Sequence, residues 1–500
     1  MAELLPRLTS VSSHSHVAAS CDEAWSIQIN DLIAFLKQPS NASAITSSSD
    51  YLLDNLDPSR HSLAYLFVFH LHVQSIQRTT KSPLPSEILP GGRLWLNAVH
   101  FLRHFDPVQI RYAGMEWRQL IELVAQAAQL ESKPLLAVLV IRDSIFRLGI
   151  TDTFTSVHLL FVRLSLLAKT YTHALPILDR QVCHLPNPSN QGYQQYRHLI
   201  PCTEHGHNAA LVPETSGFSA KLAYRDHLSY FLCGAMVYTV LKDWNKAIHW
   251  LSIVISSPVT GPVSKIMVEA YKKWLLVNLL GQGKLSSPPS VVPSHVMRVY
   301  EALTKPYMSL AEAFEKCHYE RFLREVEMGR TIWHIDNNTG LVSQLAPAFD
   351  KFIILRLGRT FSALKMSDVA WQRFSAGQLS PRQIEAFVAS LVMSGRVSAV
   401  LFHLRDNINS TMLRFASRGG QALYYERHLR TKLNFESQLV KTIANGIDHS
   451  KSGLGFSNEH FQFLHKNQRC VDTPARVAFL AESQADSQIH GDEDIMEDLH

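Results

Sequence analysis

The chain has 500 residues, 46% of them hydrophobic and 18% charged. That is ample apolar material for one large core or several smaller ones. So low a charge in a helical sequence suits a protein that hides surface against partners, and weighs against a free-standing monomer.

The main uncharged apolar stretch, Phe231 to Leu241, is bounded by Asp226 and His227 before it and Lys242 and Asp243 after it. A membrane span needs roughly 20 apolar residues, so this reads as a buried helix. The start, Met1-Ala2-Glu3-Leu4-Leu5-Pro6, carries neither a basic nor an apolar run, which argues against a secretory signal. Cys21, Cys183, Cys202, Cys233, Cys317 and Cys470 are scattered without a CxxC, as expected of reduced thiols. Net charge is +5, but residues 477–500 hold seven acids and no Lys or Arg, leaving +12 on residues 1–476. The plain reading is a solvated acidic tail on a mildly basic body; a sharper one is a tail that docks on a basic groove of its own complex.

In chain order, residues 1–21 are Ser- and His-rich and read as disordered. Helical repeats are expected over 22–181. Ile29, Leu32, Ile33 and Leu36 have helical spacing within Asp22 to Lys37. Pro39 to Asp50 reads as a Ser/Asn linker. Trp117, Leu120, Ile121, Val124 and Ala128 mark another helix, and Pro134 opens the next, to Leu148. Residues 182–222 are broken by Pro186, Pro188, Gly192, Pro201, Gly206, Pro213 and Gly217, and read as a flexible insertion. On either side of it lies an internal echo: Tyr171 precedes Ala174 as Trp244 precedes Ala247. With Gly234 and Tyr238 this suggests tetratricopeptide-like helix pairs and a degenerate solenoid.

Residues 223–350 continue the helices. Ser264 is a candidate N-cap. The helix it opens buries Met267, Ala270, Tyr271, Trp274, Leu275 and Leu279, with Lys272 and Lys273 off that face and Gly281 and Gly283 stopping it. The character changes near 351. Ser367 is placed to cap a short helix, and Ser380-Pro381-Arg382-Gln383 forms a capping box. Ile384, Phe387, Val388 and Leu391 share one face of the following helix, which ends at Gly395. Val397, Ala399 and Leu401 alternate as a strand, Asp406 to Asn409 turns, and Thr411 to Phe415 returns. This layout over 351–418 is that of a winged helix. A terminal amphipathic helix follows within 419–447, with Tyr425, Leu429, Leu433, Val440 and Ile443 on one stripe, and then a tail over 448–500. The stripe has no evident partner in its own domain, which suggests a helix of another chain.

Helical repeats, a winged helix and a terminal helix together resemble the PCI-domain family, whose members serve the proteasome lid, the COP-9 signalosome and translation initiation factor three. Segments 109–113, 166–169, 174–179, 234–239, 269–277 and 337–342 are similar specifically to a signalosome member. The early residues, the 182–222 insertion and the tail depart from the family pattern. The resemblance implies an all-α fold with a winged-helix module, and a scaffold subunit of a complex that removes the ubiquitin-like modifier from cullins. It implies that the isopeptidase chemistry belongs to a different, zinc-bearing subunit. It also implies contact with other PCI and metalloprotease-fold subunits, winged helix to winged helix and terminal helix to terminal helix, and an indirect link to cullin-RING ligases. No cofactor is expected, and cytoplasm and nucleus are the expected places.

Catalytic signatures do not assemble. The metalloprotease pattern needs HxH followed by SxxD; His70-Leu71-His72 meets Thr80 and Pro83 at those places, and His205-Gly206-His207 meets Thr215 and Phe218. Cys202 with His205 and His207 offers one thiolate in an irregular loop, read as plain polar sequence. Gly281-Gln282-Gly283 follows a helix and has Ser286 where a dinucleotide fingerprint needs glycine, so a helix stop is the better reading. In a DNA-reading winged helix, Arg382, Gln383 and Arg396 would face bases while Glu385 met phosphates unfavourably. Protein assembly is therefore the default. The alternatives are a proteasome-lid or initiation-factor scaffold, or a PCI protein that grips nucleic acid. Expected intersubunit contacts are Val397, Ala399 and Leu401, which can extend a partner's sheet, and Leu429, Leu433, Val440 and Ile443 of the terminal helix. Ordinary core packing is the competing reading for each.

Overall fold

The computed structural model describes residues 4–11, 22–80, 84–149, 153–180, 182, 216–259, 262–373, 381–403 and 411–415, with part of 429–444. Among these, paired helices are joined by one recurring turn. Ser132, Lys169, Lys242, Cys317 and Asn337 each take a left-handed backbone conformation, with φ between 52° and 60°. In each turn the next residue donates its N–H to the carbonyl five residues back: Lys133 to Ala128, Thr170 to Ser165, Asp243 to Tyr238, His318 to Ala313 and Asn338 to Trp333. This is the Schellman closure, which satisfies a carbonyl the helix end would otherwise leave unpaired. The acceptor residues are buried, and so is the fifth residue after each turn: Ala137, Ala174, Ala247, Phe322 and Val342. The echo between Ala174 and Ala247 is thus one register of a longer series.

The described residues divide into two compact units, up to Val237 and from Tyr238 to Ile447. In the first, helices include Asp22–Lys37, Ser62–Thr80, Arg93–His104, Gly114–Leu130, Pro134–Leu148, Ser156–Leu167 and Tyr171–Leu178. Trp117 is buried, donates to Ser144 Oγ at 3.1 Å and meets Phe218 edge-on. The stretch expected as linker is helical instead, as Pro39–Ser47 and Ser49–Asn55. Pro39 occupies the first turn, where its missing N–H is harmless. Thr46 and Ser48 donate back to the carbonyls of Ala42 and Ala44, and Ile45 is buried. The early residues also hold structure: Leu4–Leu8 is a helix, and Leu8 and Val11 are buried. Most of the expected insertion lies outside the described residues, but its end is docked. Gly217 accepts from Arg118 at 3.1 Å, and Ser156 and Ser219 exchange bonds with neighbouring backbone at 3.0 Å.

In the second unit, Lys265–Gln282 is capped by Ser264 Oγ on the Ile266 N–H, as its sequence position suggested. The stop is Gly283, at φ 71°. Gly281 instead lies inside the helix, where a Cβ would come within 2.6 Å of Trp244 Cβ, so a bare backbone is what lets Trp244–Ile255 approach. Thr339–Thr360 runs unbroken through residue 351, giving Ile354 and Leu357 to the winged-helix core. That core also contains Met366, Val369, Ile384, Val388, Leu391 and Leu413. Three strands form an antiparallel sheet in the order β1-β3-β2: β1 Ala363–Lys365, β2 Ala399–Phe402 and β3 Met412–Phe415. The sequence gives no alternation to announce β1, which is only three residues long. Ser367 lies within the Met366–Arg373 helix and bonds Asp368, so it does not cap it. Ser380 and the 406–409 turn lie outside the described residues. Gly395, at φ 68°, ends the Pro381–Met393 helix with another bond five residues back, Arg396 to Leu391.

Candidate protein-assembly surface

The two histidines of the first HxH are packing residues. His72 is buried with Nδ1 2.5 Å from Ser49 Oγ, and His70 Nε2 meets Gln74 at 2.7 Å. Burial holds His70 below the ordinary histidine range, against the opposing pull of Glu116. Cys202, His205 and His207 lie outside the described residues. Among the described residues no three His, Cys, Asp or Glu side chains converge as metal ligands, and no helix is long and apolar enough to cross a membrane.

A connected polar group lies where sequence reading expected an outward face. Lys273 is buried, with Nζ 2.6 Å from Glu269 and 3.1 Å from Asn338 Oδ1. Asn338 donates to Tyr307 Oη at 2.9 Å, Tyr307 donates to Asp336 at 2.8 Å, and Lys272 closes on Asp336 at 2.6 Å. Burial, first of all, raises the Tyr307 hydroxyl well above the ordinary tyrosine range. Helical periodicity could not find this group, because its partners come from three elements distant in sequence. Each member is bonded to another, so the group locks the 336–338 turn to the Lys265–Gln282 and Lys305–Glu315 helices. That turn launches the helix that enters the winged-helix core.

The sheet of that module separates the expected contact residues into two faces. Register pairs Leu364 with Leu413 and Leu413 with Leu401, and Ala399 with Phe415; these face the core. Val397 and Ala399 are 3% and 2% exposed, and Leu401 packs against the core. Their side chains are therefore occupied by the module's own packing, a correction to the expected side-chain contacts. The opposite face presents Val400 and Phe402, 47% and 48% exposed. Among the described residues β2 has a neighbour on one side only, and no described strand pairs with its other backbone edge, which suits strand addition. Strict alternation held the signal: the residues between the chosen ones are the outward set.

Near the expected recognition helix, Glu385 accepts from Thr411 at 3.4 Å and lies 3.3 Å from His403 Nδ1. Lys351 is held below the ordinary lysine range by burial first and by Arg396 second.

The described positions within 429–444 are helical and exposed, among them Leu429, Leu433 and Val440. Ile443 and Tyr425 lie outside the described residues. Leu433 and Val440 are 61% and 64% exposed, so the stripe read from periodicity stays uncovered by the described residues of this chain. An apolar stripe in water and an open strand edge are both features that association satisfies.

Two comparisons with known proteins agree. The family described as "COP9 signalosome complex subunit 3, N-terminal helical repeats" matches residues 27–297. A COP9 signalosome complex subunit 3 of Emericella nidulans is 45% identical over 499 residues, covering 100% of both chains. Proteins of that name from Dictyostelium discoideum and Drosophila melanogaster are each 26% identical, over 71% and 70% of this chain and 74% and 73% of their own.

Proposed function

The chain belongs to the COP9 signalosome subunit 3 family, and on that premise we propose that it is a non-catalytic scaffold of the signalosome. It supports removal of the ubiquitin-like modifier from cullins by a different, metalloprotease-fold subunit. It holds its neighbours through the open edge of β2 and through the terminal helix, and meets cullin-RING ligases only indirectly. Cytoplasm and nucleus are its places of action.

The observation that carries this reading is the exposed stripe of Leu429, Leu433 and Val440, together with a sheet edge that no described strand pairs. Burying such a stripe against partner helices removes apolar surface at about 25 cal/mol per Å². Family membership supports signalosome subunits as the partners and weighs against the proteasome-lid and initiation-factor alternatives. The nucleic-acid alternative rests on the +12 of residues 1–476 alone.

The test is purification of the tagged chain from its own cells at native level, followed by mass spectrometry and a cullin deneddylation assay with a zinc chelator as control. Recovery of a set of PCI and metalloprotease-fold subunits with chelator-sensitive activity is expected. Recovery alone, or with nucleic acid whose binding collapses as salt rises, would overturn the scaffold reading.

A further inference from the structure

The outward face of the winged-helix sheet holds an arrangement that strand addition does not use. Register aligns Ala363, Arg414 and Val400 in one row, and Lys365, Met412 and Phe402 in the next. Arg414 and Lys365 are exposed, and among the described residues their side chains have no hydrogen-bond or ion-pair partner. The face is thus an apolar platform of Val400, Phe402 and Met412 set with two unpaired cations. The sequence of the module has the same sign: residues 351–415 contain nine Lys or Arg against three Asp or Glu. Of the three acids, Glu385 is engaged by Thr411 and His403.

The occupant that fits must supply carboxylates interspersed with apolar side chains. The terminal helix is the wrong one, since residues 421–445 carry four Lys or Arg and two Glu. The C-terminal segment is the right one. Beyond Arg476 it has no Lys or Arg, and Asp492, Glu493, Asp494, Glu497 and Asp498 surround Ile495, Met496 and Leu499. More than sixty residues separate Phe415 from Glu482, so chain length allows the return.

We propose that residues 482–500 dock on the outward face of this chain's own winged-helix sheet, with carboxylates on Arg414 and Lys365 and with Ile495, Met496 and Leu499 over Val400, Phe402 and Met412. The exposed ion pairs are individually weak and screened by salt, so the apolar contacts hold the segment and the charges select it. The docked segment covers the sheet face and leaves the backbone edge of β2 open, so the proposal does not depend on the scaffold reading.

The experiment is carbodiimide coupling of the purified full chain, which joins a carboxylate to a nearby lysine, with products read by mass spectrometry. Mixed isotopically light and heavy chains separate links within a molecule from links between molecules. Lys365 is expected to couple within one molecule to acids of 482–498 in preference to the chain's other lysines. The yield should fall at least about fivefold at roughly 0.5 M salt. Arg414→Gln should lower it, and so should the triple variant Asp492→Asn, Glu493→Gln, Asp494→Asn, which leaves the sheet untouched. Coupling of Lys365 no stronger than that of Lys169, or only light-to-heavy links, overturns the proposal. So does coupling of Lys365 solely to another subunit when the full complex is treated.

Discussion

Lys273 illustrates how a charge can be structural. Periodicity put it off the buried face, yet it is 8% exposed because Glu269 and Asn338 meet its ammonium. Removing one partner of such a pair is costly because the other stays behind, partly desolvated. Lys273→Met keeps the apolar stem and removes the charge. It should cost about 2 kcal/mol, read as faster hydrogen exchange over 305–340 with the first unit unchanged. Protection equal to the parent chain would mean that water already serves Glu269. His227 makes the pH argument in the first unit. It sits edge-on to Phe231 at 4.9 Å, with Nδ1 buried and unpartnered, and burial holds it below the ordinary histidine range. The unfolded chain then binds the proton first. Its contribution is present above the unfolded histidine pKa of about 6.5 and is lost progressively as pH falls from there through the lower folded-state value. His227→Phe keeps the ring contacts and should shrink the fall in thermal midpoint between about pH 7.5 and 5.5. His70, depressed in the same direction, leaves part of the fall in place.

At the scale of elements, the recurring turn sets the arrangement of the helix pairs, and its chemistry is unusual in one respect. Glycine is the ordinary occupant of a left-handed helix end, but here Ser132, Lys169, Lys242, Cys317 and Asn337 take that role. A side chain with a branched β carbon would add strain. Lys242→Val should therefore lose about 1–2 kcal/mol, whereas Lys242→Gly should range from neutral to a gain of about 1 kcal/mol. Chemical denaturation followed by tryptophan fluorescence, with Trp244 two residues away, compares the two. Equal losses would show that Lys242 is held by side-chain contacts instead. These turns also explain what the sequence made legible. Buried positions on both sides of each turn leave a pattern, so Ala174 and Ala247 were visible as an echo. The turn itself has no residue signature, since Ser, Lys, Cys and Asn all satisfy it. The 39–55 helices escaped notice because their Ser and Thr hydroxyls bond back to carbonyls of the same helix, and composition alone reads such residues as linker. The strand β1 is fixed by pairing with β3, a contact across 47 or more residues that no local pattern records.

For the whole molecule, the question is which apolar surface belongs to the chain and which to its complex. Alternation found the strand β2, but as contacts it offered the inward residues, because Val397 and Ala399 look the same whether a core or a partner covers them. The terminal stripe was legible, since a period of 3.6 needs no neighbour to be seen. Its covering surface was not: none of the described residues covers Leu433 or Val440, and the proposed cover is a helix of another chain. Leu433 offers the sharpest separation of the two, being 61% exposed on a helical stretch whose other described positions are also exposed. Leu433→Glu should leave the free chain's circular dichroism and thermal midpoint unchanged, since none of the described residues covers it. In the assembled complex the same carboxylate would be buried among apolar helices, at a cost of several kcal/mol, which lowers affinity by about 100-fold or more. Recovery of the other subunits with the tagged chain should drop accordingly, while Asn434→Glu, off the stripe, should recover them normally. If Leu433→Glu instead melts the chain, the residue is core and the terminal helix packs on its own winged helix. If both variants assemble normally, the open edge of β2 must carry the attachment alone.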